Sequence, residues 1–556
     1  MNKSVLATFI CATLLAAPAV NAAKINLINR DPAGVGLNDT TPVTPIGNNP
    51  GVTRGEQARI VYKFATDMWG GVLESPVDIN VYASFAPQAC TSTSGTLASA
   101  GANALYLLTD GIKSRIYGAA LAESLIGVDL SAANDPGDIR SFFNGDLGKP
   151  GCLDGMSWYF GLDGNTPDGQ VNFLNVVMHE LGHGLGVQGF LNKSTGALNA
   201  GYSDPYTYYA YDNVLNKRFE DMTSAERALA MRTPGRTVWT GAGVNSQAPL
   251  VLSRRNALRI TAPAAIAGKD YEVAYAQFGA LATPANFANR PLVLINDGNG
   301  TATDGCSANG SNTGLGDTIA YVNASEVAGN VAVIDRGTCS FEYKAKIAQD
   351  NGAVAVVIVN NAAGVAAMAA VSPSTGVTIP TVMISQGDGA ELKANLAGAA
   401  GGMTLSNMLS GADAAGRVRL YAPSTVAAGS TFSHFDTELS PNALMEPFDT
   451  PEVQGQFIVD LTSGLFSDIG WQLNPGNGRI VGCDTGVDAV ASGGIVLGAN
   501  VQASNALCKD TAGRRTDYTA CMYKYRDDMR AAGLITSTQA SKLNTCIKRQ
   551  SDQFGR

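Results

Sequence analysis

The stretch Val171-Asn-Phe-Leu-Asn-Val-Val-Met-His-Glu-Leu-Gly-His-Gly-Leu-Gly-Val187 contains the decisive pattern of this sequence. His179 and His183 are four residues apart. Residues at this spacing lie on one face of an α-helix, so both imidazoles can reach a single metal ion. A buried helical face is predicted from apolar residues at the same spacing: Phe173, Val176, Val177 and Leu181. We therefore predict a buried helix that ends near Gly186.

The three histidines of the 556-residue chain indicate a zinc site. Three protein ligands leave zinc an open position for water, and Glu180 is then the expected general base. A longer form of the motif continues His-x-x-Gly-x-x-His, but Gly189 stands where its last histidine would be. His434 is therefore the candidate third ligand. The alternative, two core histidines without a metal, is disfavoured by the intervening glutamate.

The sequence after His434 supplies a second motif, Pro441-Asn-Ala-Leu-Met-Glu-Pro447, followed by Leu461-Thr-Ser-Gly-Leu-Phe-Ser-Asp-Ile-Gly-Trp471. Together with the first motif, it resembles the leishmanolysin-like zinc metallopeptidases, a metzincin family. In that family a domain is inserted before the third histidine, which precedes a Leu-Met-x-Pro turn and a helix ending in Asp-x-Gly. The resemblance implies one zinc ion bound by three histidines, a base, a turn glycine and a methionine beneath the metal: His179, His183, His434, Glu180, Gly186 and Met445.

The spacer between the two motifs, residues 264–409, contains short apolar runs at 291–295, 331–334 and 353–359, which are typical of buried strands. An amphipathic helix is predicted over 342–351. The string Asp335-Arg-Gly-Thr-Cys-Ser-Phe-Glu-Tyr-Lys344 resembles the protease-associated (PA) domain. That resemblance implies a small non-catalytic α/β module that acts as a lid or exosite for substrate. The alternative is an α/β insert of another kind.

The N-terminus indicates export from the cell. Lys3 precedes an apolar run over 5–20, and the small residues near Ala22 fit signal peptidase, so residues 1–22 are predicted to be a signal peptide. A membrane anchor is disfavoured because the run is short and contains Pro18, and no later segment has about 18 uninterrupted apolar residues. We expect a secreted protein without a transmembrane anchor, or a periplasmic one in a Gram-negative source.

Cysteine usage agrees with export. Cys11 lies in the predicted signal peptide, and an even number of cysteines, eight, remains. In an exported chain such a count predicts disulfides rather than thiolate metal ligands. Pairing sequence neighbours gives one of 105 connectivities: Cys90 with Cys152, Cys306 with Cys339, Cys483 with Cys508, and Cys521 with Cys546.

The composition limits which classes of binding partner are expected. The net charge is −9 and no basic stripe is present, which argues against nucleic acid and anionic membranes. Proteins or peptides are the expected substrates, bound in extended form along a sheet edge. The loop Asp163-Gly-Asn-Thr-Pro-Asp-Gly169 offers oxygen ligands for Ca²⁺ but lacks the EF-hand pattern. The oligomeric state is left open.

The expected fold class is α+β. A metzincin-like zinc protease domain is interrupted by a small α/β PA domain and followed by a small disulfide-clamped helical C-terminal region. The predicted divisions are a signal peptide (1–22), a first catalytic part (23–263), the PA domain (264–409), a second catalytic part (410–474) and the C-terminal region (475–556). Periodicity predicts helices at 55–69, 517–533 and 537–549, and strands at 77–85, 104–108 and 157–160.

The expected function is that of a secreted zinc-dependent endopeptidase. Two alternatives stay open at this point. The first is a catalytically silent, zinc-containing secreted protein that binds peptides or glycans. The second is a serine or cysteine hydrolase that uses one histidine as its base, although no Gly-x-Ser-x-Gly nucleophile motif is evident.

Overall fold

The computed structural model describes residues 22–109, 111, 113–307, 319–362 and 364–553. Apart from Ala22, the predicted signal peptide lies outside these residues. The chain divides into two compact units. Residues up to Leu252 and from Gly411 onward form the main unit, and Ser253–Ser410 form the inserted unit.

Helices and strands alternate along the described residues, so the chain is a mixed α/β protein. The helices are α1 (Arg54–Val72), α2 (Ala119–Ile126), α3 (Phe173–Leu185), α4 (Pro205–Tyr209), α5 (Ser224–Ala230), α6 (Ala242–Val251), α7 (Ala324–Val327), α8 (Phe341–Asp350), α9 (Gln386–Ala394), α10 (Asp460–Ile469), α11 (Leu497–Thr511), α12 (Arg515–Ala531) and α13 (Ser537–Ser551). The strands are β1 (Ile25–Asn29), β2 (Leu73–Glu74), β3 (Ile79–Ala86), β4 (Ala98–Ala102), β5 (Leu105–Thr109), β6 (Ser114–Gly118), β7 (Ile139–Asn144), β8 (Ser157–Tyr159), β9 (Gln170–Asn172), β10 (Ala210–Asp212), β11 (Lys217–Arg218), β12 (Thr237–Trp239), β13 (Arg254–Ala262), β14 (Asp270–Tyr271), β15 (Ala274–Tyr275), β16 (Arg290–Leu294), β17 (Val331–Asp335), β18 (Ala355–Val359), β19 (Thr381–Ile384), β20 (Ala400–Leu409), β21 (Gln472–Leu473), β22 (Asn477–Ile480) and β23 (Cys483–Asp488).

The elements predicted from periodicity are confirmed, with ends that differ by a few residues. The helix predicted over the motif is α3, and the others are α1, α8, α12 and α13. The predicted strands are β3, β5, β8, β16, β17 and β18. Long segments with a clear helical or alternating pattern were therefore readable from the sequence.

A four-stranded sheet in the order β1-β3-β7-β4 forms the framework of the main unit. β1, β3 and β7 run parallel, and β4 pairs antiparallel with β7 at the edge. α3 packs on β4 and β7, and it also contacts α1. Phe143 in β7 is fully buried, and its ring centre lies 4.9 Å from that of Phe173 in α3. The apolar face of the sheet is therefore covered by the helix with the histidine motif.

Both ends of α3 have partners for their backbone groups. At the start, the side chain of Asn172 accepts a hydrogen bond from the N–H of Asn175. At the end, the indole Nε1 of Trp471 donates to the carbonyl of Leu185 at 2.7 Å. That carbonyl belongs to the last turn, which has no partner within the helix. These bonds fix where the helix begins and ends.

The inserted unit is built on an eight-stranded sheet in the order β14-β13-β20-β16-β17-β18-β19-β15. The strands β16 to β19 run parallel, and the flanking pairs are antiparallel. In β17, Val331 and Val333 belong to one buried cluster while Ala332 and Ile334 belong to another. Both faces of this strand are therefore buried, which is why its sequence is a continuous apolar run.

The C-terminal residues contain the hairpin β22–β23 and the helices α11, α12 and α13. α11 packs along α1, and α13 packs against both α12 and β23. Tyr518, Met522 and Leu543 are fully buried among these elements. The C-terminal region thus has its own apolar cluster within the main unit.

The described residues contain four disulfides, and two of the predicted pairings are wrong. Cys90–Cys152 and Cys306–Cys339 pair as predicted. The other two pairs are Cys483–Cys546 and Cys508–Cys521, rather than Cys483 with Cys508 and Cys521 with Cys546. The reason is the packing of α13 against β23, which brings its cysteine to the start of that strand, while the adjacent helices α11 and α12 are joined to each other. Sequence neighbours are therefore not spatial neighbours here.

None of the helices in the described part of the chain is both long enough and apolar enough to cross a membrane.

Candidate metal centre

The three histidines meet at one point in the main unit. The Nε2 atoms of His179 and His183 are 3.1 Å apart, and those of His183 and His434 are also 3.1 Å apart. The third side of this triangle, from His434 to His179, is 3.3 Å. His183 and His434 are buried, whereas His179 is partly exposed. The site is therefore accessible from the side of His179.

Each imidazole is oriented by a hydrogen bond from its other ring nitrogen, Nδ1. The Nδ1 atoms lie 2.7 Å from three backbone carbonyl oxygens: His179 bonds to Leu444, His183 to Val187 and His434 to Ser430. A carbonyl oxygen can only accept, so each Nδ1 carries the proton and each Nε2 has a free lone pair. This is the arrangement of neutral histidine ligands whose orientation is held by outer hydrogen bonds.

The geometry and chemistry of the triangle fit a zinc ion. With Zn–N bonds of about 2.0–2.1 Å in a tetrahedral site, neighbouring nitrogen atoms are about 3.3 Å apart, close to the 3.1–3.3 Å found here. In the described residues these three are the grouped His, Cys, Asp and Glu side chains that could hold a metal. Three ligands leave one tetrahedral position for water or substrate. Burial lowers the pKa of His183 to about 3, which keeps this ligand neutral.

Glu180 follows His179 in α3 and is buried. The residue is 6% exposed, and its Oε2 has no hydrogen-bond partner among the residues that the structure describes. Burial raises the pKa of Glu180 to about 8, and a hydrogen bond from the backbone of Ala100 acts in the opposite direction. Since Ala100 belongs to β4, the edge strand borders this carboxyl group. A buried carboxyl with a raised pKa is suited to proton transfer near neutral pH.

The segment that contains Met445 packs against α3 next to the metal centre. A Cβ atom on Gly182 would lie 2.7 Å from the Sδ of Met445, so the methionine packs directly on the helix backbone there. The preceding residue, Leu444, accepts the Nδ1 hydrogen bond of His179, and its own N–H donates to Asp460 at 2.7 Å. The turn therefore both packs on the helix and orients one of its histidines.

Two glycines after the motif explain how the chain leaves α3. Gly186 has a φ of +129°, and a Cβ there would lie 2.6 Å from Ile469. This bend brings the carbonyl of Val187 back to the Nδ1 of His183. At Gly189, the position of the last histidine in the longer motif, a Cβ would lie 2.4 Å from the ring of Phe432. A side chain at that position would therefore clash with Phe432 unless the ring moved, and His434 is the third corner of the triangle.

Some residues near the site had no signal in the sequence. Ala100 contributes through its backbone, and Asp460 is one of many acidic residues. Lys193 donates to the carbonyl of Gly189, and its Nζ lies 5.4 Å from the ring centre of Phe432. These roles depend on tertiary contacts between distant parts of the chain.

The loop of Asp163 offers oxygen ligands for Ca²⁺ by its sequence, although it lacks the EF-hand pattern. Its carboxylate Oδ1 accepts hydrogen bonds from the hydroxyl of Tyr159 at 2.6 Å and from the N–H of Asn165 at 3.1 Å. Calcium binding at this loop stays a prediction.

Several solved structures share a partial likeness with the chain. They include an aminopeptidase from Aneurinibacillus sp. strain AM-1 (22% identity, 28% of this chain and 31% of that chain, TM-score 0.19). The zinc aminopeptidase BSAP from Bacillus subtilis has 21% identity over 29% of this chain and 36% of that chain, with a TM-score of 0.19. A Peptidase M28 precursor from Shewanella amazonensis SB2B has 20% identity over 28% and 35%, with a TM-score of 0.18. The chain thus spans about a third of the length of these relatives.

One segment of the chain matches a known domain family. A search of curated proteins found no match. The PA domain family matches residues 288–392, which lie inside the inserted unit. The apolar strands and the helix predicted from the 264–409 spacer fall in or next to this segment. The chain therefore contains a PA domain.

Proposed function

We propose that this chain is a secreted zinc-dependent endopeptidase that hydrolyses peptide bonds in proteins. One zinc ion would be held by His179, His183 and His434. The observation that carries the proposal is the triangle of Nε2 atoms with sides of 3.1–3.3 Å, because three lone pairs facing one another repel unless a cation lies between them. The four disulfides and the predicted signal peptide support an extracellular location.

Glu180 is the proposed general base. A bound zinc ion supplies Lewis acidity to a water molecule and to the substrate carbonyl. Glu180 takes a proton from this water as the water oxygen attacks the carbonyl carbon. The same carboxyl then gives the proton to the amine nitrogen as the C–N bond breaks. The free Oε2 supports this role, because no described hydrogen bond competes for it.

The edge strand β4 supports cleavage within a chain rather than at its end. β4 is the last strand of the sheet, it packs on α3, and the backbone of Ala100 acts to lower the pKa of Glu180. An extended peptide added to this edge would pass the base without needing a free terminus. Proteins and long peptides are therefore the proposed substrates.

We further propose a leishmanolysin-like, metzincin fold for the main unit. Its support is the combination of one antiparallel edge strand, the motif helix, a distant third histidine and a methionine packed against Gly182. The two catalytic parts would flank the inserted unit in sequence. In this proposal the PA domain acts as a lid or exosite for substrate.

The test compares casein hydrolysis and zinc content in the mature protein and three variants. Glu180→Gln should keep zinc and lose about 10²–10⁴-fold in kcat/KM, since a positioned acid–base group contributes that much. His434→Ala should lose both zinc and activity. Glu326→Gln, at an exposed glutamate of the inserted unit, is the matched control and should behave as the wild type.

Each result that contradicts the proposal points to a different conclusion. If the wild-type protein binds one zinc ion but cleaves no casein or peptide library, the chain is a silent zinc-containing binding protein. If Glu180→Gln remains fully active, the base is misassigned. Inhibition by a serine-directed reagent but not by a chelator would instead identify a serine hydrolase.

A further inference from the structure

The disulfide Cys306–Cys339 of the inserted unit has a buried positive charge beside it. Lys344 in α8 is fully buried, and its Nζ donates to the Sγ of Cys306 at 3.0 Å. The backbone N–H of Cys339 also donates to this sulfur, at 3.2 Å. A sulfur atom is a weak hydrogen-bond acceptor, so neither donor is strongly stabilised while the disulfide is intact.

The ammonium group of Lys344 has no carboxylate in contact with it in the described part of the chain. Its other hydrogen bond goes to the backbone carbonyl of Asp304. Burial lowers the pKa of this group to about 8, and the carboxylates of Asp304, Asp297 and Asp335 act in the opposite direction. Lys344 is therefore mostly charged at neutral pH. A buried charge without a paired anion is costly.

The turn before Cys339 is strained. Thr338 has a φ of +52°, a conformation that is rare for a β-branched residue. The N–H of Cys339 donates to the carbonyl of Gly337 at 2.7 Å, which closes a three-residue turn around Thr338. Strain of this kind persists only where the surrounding structure holds it. The disulfide and a hydrogen bond from the Thr338 hydroxyl to Asp304, at 2.8 Å, hold this turn.

The other three disulfides lack a charged neighbour of this kind. In the residues that the structure describes, no lysine or arginine side chain hydrogen-bonds to Cys90–Cys152, Cys483–Cys546 or Cys508–Cys521. The Sγ of Cys152 accepts an N–H from the neutral amide of Asn144 at 3.4 Å. The difference between the first disulfide and the other three is therefore one of charge.

We propose that Cys306–Cys339 is a thiol-exchange site, which small dithiols reduce before the other three disulfides. Reduction turns the Sγ of Cys306 into a thiolate, which pairs with the ammonium group of Lys344 and accepts the N–H of Cys339. A neighbouring cation lowers the pKa of a cysteine thiol. A lower pKa speeds the departure of the leaving sulfur and stabilises the reduced form. Reduction would also free the start of α8 from the segment of Cys306, because Cys339 directly precedes the capping residue Ser340.

The exchange has two steps. A thiolate of the dithiol attacks the Sγ of Cys339, and the electron pair of the S–S bond moves to the Sγ of Cys306, which leaves as a thiolate beside Lys344. The second sulfur of the dithiol, also as a thiolate, then attacks the first and displaces Cys339, which takes up a proton. The products are a cyclic disulfide of the reductant, one protein thiolate, one protein thiol and one proton released to water. Attack at Cys339 is favoured because the adjacent Thr338 is exposed.

Redox titration of the mature protein tests this proposal. The protein is equilibrated without denaturant at about pH 7 with fixed ratios of reduced and oxidised dithiothreitol. Free thiols are then alkylated, and mass spectrometry gives the reduced fraction of each cysteine pair. In the wild type, the equilibrium constant for reduction of Cys306–Cys339 should exceed that of each other disulfide by at least about 10-fold. This is the effect at pH 7 of lowering a thiol pKa from about 8.5 to about 6.

Two lysine variants of the same helix locate the cause. Lys344→Met keeps the length of the side chain but removes the charge, and it should lower the equilibrium constant for reduction of Cys306–Cys339 about 10–100-fold. Lys346→Met is the matched control, because Lys346 bonds to Asp350 at 2.6 Å instead, and it should leave that constant unchanged.

The proposal is overturned if another disulfide of the wild type is reduced as readily, or if folded Lys344→Met is reduced as readily as the wild type. If Lys344→Met does not fold, the rate of alkylation of Cys306 in the reduced wild type is measured against pH. An apparent pKa below about 7 supports the proposal, and a value near 8.5, that of an ordinary thiol, overturns it.

Discussion

The two regions that bring histidines to the metal centre are constructed differently. α3 contributes His179 and His183, which share a helical face because they are one turn apart. Residues 430–446, the third-ligand segment, contain no helix or strand, and Phe432 within it has a φ of +74°. The helix therefore positions its ligands by local geometry, whereas the segment depends on the contacts that hold it.

Those contacts come from several parts of the main unit. The N–H of Tyr421 donates to the carbonyl of His434, and the N–H of Phe435 donates to the carbonyl of Met445, both at 2.9 Å. Asp460 accepts the N–H of Leu444. A ligand held in this way should be sensitive to changes at distant residues.

The largest expected effect is the loss of zinc when either kind of ligand is removed. Outer-shell changes alone typically cost 10–100-fold in metal affinity, so His183→Ala and His434→Ala should each cost more than about 100-fold. Zinc affinity is measured by competition with a chromogenic chelator. The difference between the regions should appear in hydrogen exchange of the metal-free proteins. His434→Ala should increase exchange at Phe435, whereas His183→Ala should leave α3 protected. Wild-type zinc affinity in His434→Ala would remove the segment from the site.

The next effect concerns Met445, which links the two regions. The side chain is fully buried and packs on Gly182. Met445→Ala should lower the free energy of unfolding by about 2–5 kcal/mol, because it leaves a cavity. Met445→Leu should cost less than about 1.5 kcal/mol. Urea unfolding of the metal-free proteins measures both values. If Met445→Leu is stable and binds zinc but is inactive, packing alone does not explain why a methionine occupies this position.

A smaller loss of stability is expected on the helix side at Gly186. Its φ of +129° strains any other residue, and a Cβ would meet Ile469. Gly186→Ala should cost about 1–3 kcal/mol and weaken zinc binding, because it disturbs the carbonyl that orients His183. The matched control is Gly533→Ala, where φ is +72° and nothing lies within 4 Å of the added Cβ. This control should lose stability but keep zinc affinity.

The same contrast explains what could be predicted from the sequence. The helical period and the His-Glu-x-x-His spacing predict α3 and two ligands, because both depend on residues near one another. His434 could be proposed because it is the remaining histidine and because its flanking residues resemble a known family. The backbone of Ala100, the carboxylate of Asp460 and the exchanged disulfides could not be read from the sequence. Each depends on which distant elements pack together. The packing of α13 against β23, for example, pairs Cys546 with Cys483 rather than with Cys521.

The effect that is smallest near pH 5, and that grows as the pH rises, is a gain in stability on replacing Glu180. Its pKa is about 8 in the folded protein and 4.5 in an unfolded chain. Unfolding therefore releases a proton when the pH lies between 4.5 and 8. The contribution of the neutral carboxyl to stability is complete below pH 4.5 and is lost as the pH rises through 8. Metal-free Glu180→Gln should therefore match the wild type near pH 4.5 and become more stable than the wild type above it, by up to about 1.4 kcal/mol per pH unit. Urea unfolding at pH 5, 6.5 and 8 measures the difference, with Glu326→Gln as a control that should show none. Zinc should reduce the gain, because a neighbouring cation favours the ionised carboxylate. A difference that does not change with pH would mean that Glu180 is already ionised in the metal-free site.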